Sequence, residues 1–484
     1  MITAVTYKPS RICGAYNPII WTVQSNNINQ ADFQYVIDVY INGNYVTRIT
    51  QRPNPSGYGM FDVSAIVQSY TKTSTFTQGE LETPNTQWFH DNEEASCQVY
   101  CKIGERWGIP GVAGSFALRN GLSGDNFGPP AFAVYSAYTS ASLPVTVLAA
   151  SLEDHENLWT MQQPSTNGVW RQDPFLNNIA REWSGGLAYP LSNNYSLERN
   201  VYSFDKGTLS WVNYSPGTAN GLIFGFRYRV YNASGTLVLT TDVPLTIANG
   251  MGPKTLCSTV YNIQPPSQYD LVHVNYSPSI LAARTGQPIT DGWKVIIQGH
   301  TFNNYAACTF GAAITQPITI NVQSYCEQLY PRVRVSWLNE WGGRDYYNFT
   351  MYAVKTINTK SEQYTQNQMN WSGSVPVAQL SSSYPPLGTL PTQGGDKIFN
   401  KTVTNSWQVQ SDWLTQDEVD LLQGLQKSSM VIAYIYNGSA IANGFPYSCK
   451  VKGENYEVKL VKQEKLTQAT FDLDLNITQA LQNT

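Results

Sequence analysis

The strongest constraint on this chain is a set of short, strictly alternating apolar segments, each closed by Asn, Gly, Asp or Pro. Between Phe33 and Ile41, the side chains of Tyr35, Ile37, Val39 and Ile41 fall on one face of an extended strand, because successive side chains point to opposite sides. Asn42-Gly43 follows, a dipeptide that accepts positive φ at both positions and so closes a two-residue hairpin, and Tyr45 to Ile49 returns as the partner. The plan recurs at Phe224, Phe226, Tyr228 and Val230, with a turn at Asn232-Ala233-Ser234-Gly235 and a return from Thr236 to Leu239. This grammar predicts a mostly β chain of several antiparallel β-sandwich domains, of immunoglobulin or fibronectin III type.

A chain of 484 residues has room for three or four such domains. Residues 1–107 read as an N-terminal sandwich and 108–135 as a Gly- and Pro-rich connection. Residues 136–325 read as a middle β region of one or two sandwiches. Residues 326–484 read as an α+β domain with a long loop at 364–397. Val212-Asn213-Tyr214-Ser215-Pro216 matches Val274-Asn275-Tyr276-Ser277-Pro278. Repeated sandwich modules would produce that match, and so would chance in a chain this rich in Asn, Ser and Tyr. One helix is signalled in the last domain. Thr415-Gln416-Asp417-Glu418 has the form of a capping box, and Val419, Leu421, Leu422 and Leu425 supply an apolar stripe behind it. Met430 to Tyr436 and Tyr456 to Val461 follow as strands, and Phe471, Leu473, Leu475 and Ile477 share one face of the last.

Composition narrows the function classes. Charged residues make up 13% of the chain, against about 25% in ordinary globular proteins. The chain is instead rich in Tyr and Trp, which excludes disorder and suits either strand packing or broad interfaces. The net charge is −4 and no block of Lys and Arg occurs, so a nucleic-acid partner is not expected. The first residues hold no signal-peptide pattern and no apolar run reaches membrane length, so membrane insertion is not expected either.

No catalytic, cofactor-binding or metal-binding constellation emerges. Cys97 and Cys101, with His90 upstream, have the residue types of a metal site. However, Cys97, Val99, Cys101 and Ile103 alternate onto one strand face, which makes buried thiols the better reading. His155, in Leu152-Glu153-Asp154-His155-Glu156, lacks the spacing of a helical metal pair and reads as a polar loop. The glycines of 108–130 lack the Gly-Lys-Ser/Thr ending of a phosphate loop.

The most distinctive segment is Val333-Arg334-Val335-Ser336-Trp337-Leu338-Asn339-Glu340-Trp341-Gly342-Gly343-Arg344-Asp345-Tyr346-Tyr347. Its structural reading is a hairpin core, with Trp337, Asn339, Gly342, Gly343 and Asp345 setting the strand and turn. Its functional reading is an aromatic interaction surface built from Trp341, Tyr346 and Tyr347, together with Trp337.

This Trp-Leu-Asn-X-X-Gly-Gly-X-Asp pattern resembles one in virion and tail proteins of phages that infect Bacteroidetes, the crAss-like phages and their relatives. Trp413-Leu414-Thr415, the acidic helix start, Leu421-Leu422 and Ser428-Ser429-Met430-Val431 are similar to a later block of the same proteins. Phe61-Asp62-Val63-Ser64 is similar to an early element of theirs. The middle, from about residue 135 to 325, is less similar. The resemblance implies a non-enzymatic structural protein of a bacteriophage virion, in the tail, baseplate or fibre-attachment region, assembled in the bacterial host cytoplasm. Its partners would be copies of itself and other virion proteins, joined in part by an arm at 364–397. Two other classes remain. One is a receptor- or glycan-binding fibre or head-decoration protein, with a host-surface glycan as partner. The other is a polysaccharide-active enzyme, which needs two carboxylates roughly 5–9.5 Å apart across a cleft.

Overall fold

The computed structural model describes residues 2–7, 9, 12–71, 88–91, 96–108, 117–119, 145–148, 190, 192, 196–213, 223–245, 270–304, 309–324, 332–339, 342–366, 371–372, 375–376, 395–414, 416–435, 445–452 and 468–480. The protein is mostly β, built from several sheets with largely antiparallel pairing. It divides into two compact units. One comprises Met1–Glu327, Ser336–Tyr346 and Asp420–Ser429; the other comprises Gln328–Val335, Tyr347–Val419 and Met430–Thr484.

The first unit contains one larger-sheet topology twice. In the first copy, a small sheet places Ile20–Ser25 between Ile2–Tyr7 and Tyr58–Asp62. A larger sheet runs Ile12–Gly14, Val145–Leu148, Ser96–Trp107, Gln34–Ile41, Asn44–Gln51, with Ala117–Arg119 also on Ser96–Trp107. The second copy's larger sheet runs Glu198–Tyr202, Ile318–Gln323, Lys294–Asn304, Gly225–Tyr231, Leu237–Pro244, with Thr309–Ala313 also on Lys294–Asn304. Each larger sheet carries one parallel pair at the same place in its order, Ile12–Gly14 with Val145–Leu148 and Glu198–Tyr202 with Ile318–Gln323. The remaining pairs are antiparallel, and this order is compatible with the expected immunoglobulin-type arrangement.

The duplication extends to single hydrogen bonds. Ile20 pairs with Asp62, and Thr208 with Asn275. Just beyond, the amide of Val63 donates to the carbonyl of Ile19 at 3.0 Å, and that of Tyr276 to Gly207 at 3.0 Å. Asp62 Oδ1 accepts the Ser64 amide at 2.9 Å, and Asn275 Oδ1 accepts the Ser277 amide at 2.9 Å. These side chains supply turn acceptors that launch the helices Ser64–Gln68 and Pro278–Thr285. Together with Gln416–Lys427, they give three helices among the described residues, not the single C-terminal helix expected.

Both hairpins form as their sequences dictate. Asn42 and Gly43 take φ of 50° and 84°, with Ile41 opposite Asn44. At the second turn, Asn232 Oδ1 accepts the Thr236 amide at 2.9 Å and Gly235 takes φ of 79°. Tyr35, Ile37, Val39 and Ile41 enter one buried core, shared by both sheets of their copy. Phe224, Phe226, Tyr228 and Val230 enter the other. Each such side chain contributes about 1.5–3 kcal/mol on burial. Cys97, Val99, Cys101 and Ile103 line the first core or pack against it. Burial pushes the Cys97 thiol up to about 12, as expected of inert core sulfur.

The domain boundaries differ from those expected. Val145–Leu148, beyond the expected connection, completes the first copy's larger sheet by pairing with Ser96–Trp107. Conversely, Phe89–Asp91 joins the second copy's small sheet, pairing with Asp270–Asn275, whose other neighbour is Thr208–Asn213. The neighbouring Trp88 is buried in the second core, its ring centroid 4.5 Å from that of Tyr228. One strand of the first copy, Phe89–Asp91, is therefore lent to the second copy's sheet, and no cut at residue 107 separates the two. The repeated Val-Asn-Tyr-Ser-Pro does not mark the duplication. Val212-Asn213 and Val274-Asn275 end two antiparallel partner strands of one sheet.

A seven-stranded sheet runs Arg344–Phe349, Val333–Leu338, Val431–Ile435, Phe445–Lys452, Thr470–Ala480, Gly395–Gln410, Tyr352–Gln366. Val431–Ile435 is buried throughout, and Phe471, Leu473 and Leu475 are buried on one face of their strand. Helix Gln416–Lys427 buries Val419, Leu421, Leu422 and Leu425, the expected stripe. The expected loop at 364–397 is shorter than read. Residues 364–366 and 395–397 belong to the strands Tyr352–Gln366 and Gly395–Gln410, and Trp371–Ser372 pairs with Val375–Pro376. Polar residues on both faces of those strands hide the alternation that marks a half-buried strand. Thr415, Tyr456–Val461, the segment around His155 and most of 108–144 lie outside the described residues.

Candidate functional site: a buried clasp, an aromatic row and a projecting ribbon

The distinctive motif forms a tight connection between Val333–Leu338 and Arg344–Phe349. The amide of Asn339 donates to the Gly343 carbonyl at 2.9 Å, and the Gly342 amide donates to the Asn339 carbonyl at 3.1 Å. Gly342 takes φ of 82°, which L side chains rarely adopt. The Asn339 side chain uses both ends. Its Oδ1 accepts the Gly343 amide at 2.9 Å, and its Nδ2 donates to Asp345 Oδ2 at 3.1 Å. The other carboxylate oxygen of Asp345 accepts the Ser192 hydroxyl. Asn339, Asp345 and Ser192 are all buried.

Around this clasp, Arg344 donates to the Ser336 hydroxyl at 3.3 Å. The hydroxyls of Tyr346 and Thr208 lie 3.0 Å apart, and the Tyr346 ring meets Tyr276 edge-on at 6.0 Å. Trp337 is fully buried and is no part of an exposed platform. Tyr346 is partly buried by the contacts just given. Tyr347 is partly buried against Phe349. Burial, aided by the charge of Glu418, raises the Tyr347 hydroxyl above its ordinary value. Trp341 lies outside the described residues. Chemically, this arrangement fixes backbone: its carboxylate is committed to two buried donors. Among the described residues, no cluster of three His, Cys, Asp or Glu could hold a metal ion. No described helix is long and apolar enough to cross a membrane.

Two surface features were not anticipated from the sequence. On the outward face of the first copy's larger sheet, Tyr40 stacks on Tyr100 with centroids 4.8 Å apart and meets Tyr45 at 5.7 Å. Lys102 Nζ sits 4.6 Å from the Tyr40 ring centre. The register explains the row: Tyr40 lies opposite both Tyr45 and Tyr100. A sequence reading could have found it only by placing three strands in register.

The second is a long ribbon. Tyr352–Gln366 and Gly395–Gln410 pair along their length, while Thr470–Ala480 covers only Thr402–Gln410 of the latter. Residues 355–364 are exposed on both faces. Ile357 is 58% exposed, Tyr364 45% and Ile398 39%. Tyr352–Gln366 ends the sheet, so among the described residues its outer edge pairs with no other strand.

No protein-family model matches the chain, and comparison with curated proteins finds no relative.

Proposed function

We propose that the chain is a non-enzymatic structural component of a bacteriophage virion, in the tail, baseplate or fibre-attachment region, working through protein–protein assembly. The observation that carries this reading is the ribbon of Tyr352–Gln366 and Gly395–Gln410. Residues 355–364 are exposed on both faces of their strand, and beyond Thr402 no third strand among the described residues flanks the pair; a strand pair without a buried face is marginal in water by itself. A long strand with an unpaired edge is a template for another chain. Both features suit a chain whose ribbon is covered on assembly. The resemblance of the Trp337–Asp345 motif to phage tail proteins sets the kind of assembly. The buried clasp supports a structural use of that motif, since Asp345 is held by Ser192 and Asn339. The test is electron microscopy of purified particles labelled with an antibody to this chain. Label clustered at the tail supports the reading, and label absent from particles overturns it.

A second reading, receptor or glycan binding, draws on the Tyr45–Tyr40–Tyr100 row beside Lys102, because flat aromatic faces offer rigid, low-entropy contact area. Glycan-array binding that is lost in Tyr40→Ala and Tyr100→Ala would favour it.

A further inference from the structure

We infer that the Tyr45–Tyr40–Tyr100 row takes an acidic oligosaccharide, with Lys102 as the group that meets its carboxylate or sulfate. This deepens the glycan-binding reading and rests on it, by naming the class of glycan.

Lys102 is a cation without an acid. It lies directly opposite Asp38, and directly opposed residues share a face of the sheet. Arg48, opposite Asp38 on the other side, has taken that carboxylate. Its Nε and Nη2 donate to Asp38 Oδ1 and Oδ2 at 2.7 and 2.9 Å. Lys102 turns instead to Tyr40, with Nζ 4.6 Å from the ring centre, and among the described residues its ammonium has no other partner. A ring face attracts and orients an ammonium. It supplies no negative charge, and the N–H donors stay open to an acceptor. An arriving anion therefore meets a positioned cation whose facing carboxylate is already neutralised.

The tyrosines supply the rest of the site. Tyr40 is stacked on Tyr100, while Tyr45 meets Tyr40 edge-on and is 55% exposed. A tyrosine offers an apolar ring to the C–H face of a sugar and a hydroxyl to its polar rim. Tyr45 and Lys102 stand two strands apart, roughly 9.5 Å, which suits several linked sugars rather than one.

The fold does not demand this surface. The second copy builds the same larger sheet and bulges its hairpin at the same rung. The register shifts between Val39 and Tyr40 in one copy and between Val230 and Tyr231 in the other. That alignment matches Tyr45 to Leu237 and Tyr40 to Tyr231. It matches Tyr100 to Lys294 and Lys102 to Ile296. One tyrosine of the three is kept and the lysine is not, yet the second core is complete. The row and its cation therefore belong to the surface of the first copy, and are not conditions of the sheet.

The experiment uses the full chain. It is applied to an array of glycans bearing uronate, sialate or sulfate, printed beside their neutral parents. The best-bound acidic member is then titrated in solution with the native protein, Lys102→Gln, Lys102→Arg and Lys294→Gln. Lys102 is half-buried at the surface, so circular dichroism should be unchanged in its variants. The expected result is binding of the acidic member over its neutral parent by about tenfold or more, the scale of one hydrogen bond to a charged group. Lys102→Gln should lose that preference, Lys102→Arg should keep it, and Lys294→Gln, at the matching place in the second copy, should change nothing. Added salt should weaken binding. Equal binding of the neutral parent, no acidic member bound, or indifference to Lys102→Gln overturns the inference. Poly-glutamate bound as tightly, with the same dependence on Lys102, would assign the face to an acidic protein segment and overturns it too. The glycan reading is judged separately. Neutral-glycan binding that is lost in Tyr40→Ala, with no acidic preference, sinks only the inference. No binding to any member of the array sinks both.

Discussion

Asn339 and Asp345 are locked to each other inside the protein: the Asn339 amide donates to the Asp345 carboxylate at 3.1 Å while its carbonyl oxygen holds the Gly343 amide at 2.9 Å. Neither residue is exposed. Removing one partner of a buried pair leaves the other unsatisfied, at about 1–3 kcal/mol per group. Asn339→Ala should therefore destabilise by about 2–4 kcal/mol in denaturant unfolding. Asp345→Ala should cost at least as much, because the Ser192 hydroxyl also loses its acceptor. A change below 0.5 kcal/mol, within the usual scatter of roughly that size for surface substitutions, would show that the clasp is incidental.

Trp88 belongs by chain position to the first copy and by packing to the second. Trp88→Ala should destabilise by about 3–5 kcal/mol, as large-to-small core substitutions of aromatics do. The loss should appear as faster amide exchange in Asp270–Asn275, the strand that Phe89–Asp91 borders. Fast exchange confined to residues 34–51 would contradict the placement of Phe89–Asp91 in the second copy's sheet.

Tyr228 carries a buried hydroxyl with no hydrogen-bond partner among the described residues. Burial raises it well above its ordinary value. Tyr228→Phe removes an unsatisfied group while keeping the ring against Trp88. Thermal unfolding should show stability unchanged or raised by up to about 1 kcal/mol. A clear loss would mean that the hydroxyl has a partner.

His300 is buried, its Nδ1 3.0 Å from the Gly311 carbonyl oxygen. Burial holds the imidazole below its ordinary 6.5. The Gly311 carbonyl and Asp242 oppose this, and Arg227 and Arg229 reinforce it. A depressed folded value means the unfolded chain takes up the proton first. His300 therefore contributes stability above pH 6.5 that is lost as pH falls from there through the folded value. His300→Gln should flatten the stability profile below that pH. An identical profile in the variant would exclude His300 as a source of the pH dependence.

The parts of the fold legible in the sequence were those encoded locally. The Tyr35–Ile41 and Phe224–Val230 faces follow from period two, and their turns from Asn42-Gly43 and Asn232 to Gly235. Pairing between strands distant in sequence leaves no such mark. Nothing within Phe89–Asp91 or Val145–Leu148 records that their partners lie in Asp270–Asn275 and Ile12–Gly14. The helix at Ser64–Gln68 is only five residues, too short for periodicity, and its signal is the Asp62 turn acceptor. Within the motif, the alternation of Val333, Val335 and Trp337 marks a core face. The engagement of Tyr346 by Thr208 and Tyr276 depends on contacts distant in sequence. The ribbon escaped notice because Lys, Thr, Asn and Gln occupy both of its faces, a pattern shared by strands without a core and by loops.

The central claim is that this chain is a structural part of a virus particle. The most direct measurement is its copy number in density-banded particles, by quantitative mass spectrometry against the major capsid protein. The account predicts a fixed ratio, on the order of 3 to 12 copies per particle, set by a symmetric ring or trimer. Absence from banded particles, with the chain recovered only in the soluble fraction, would contradict it.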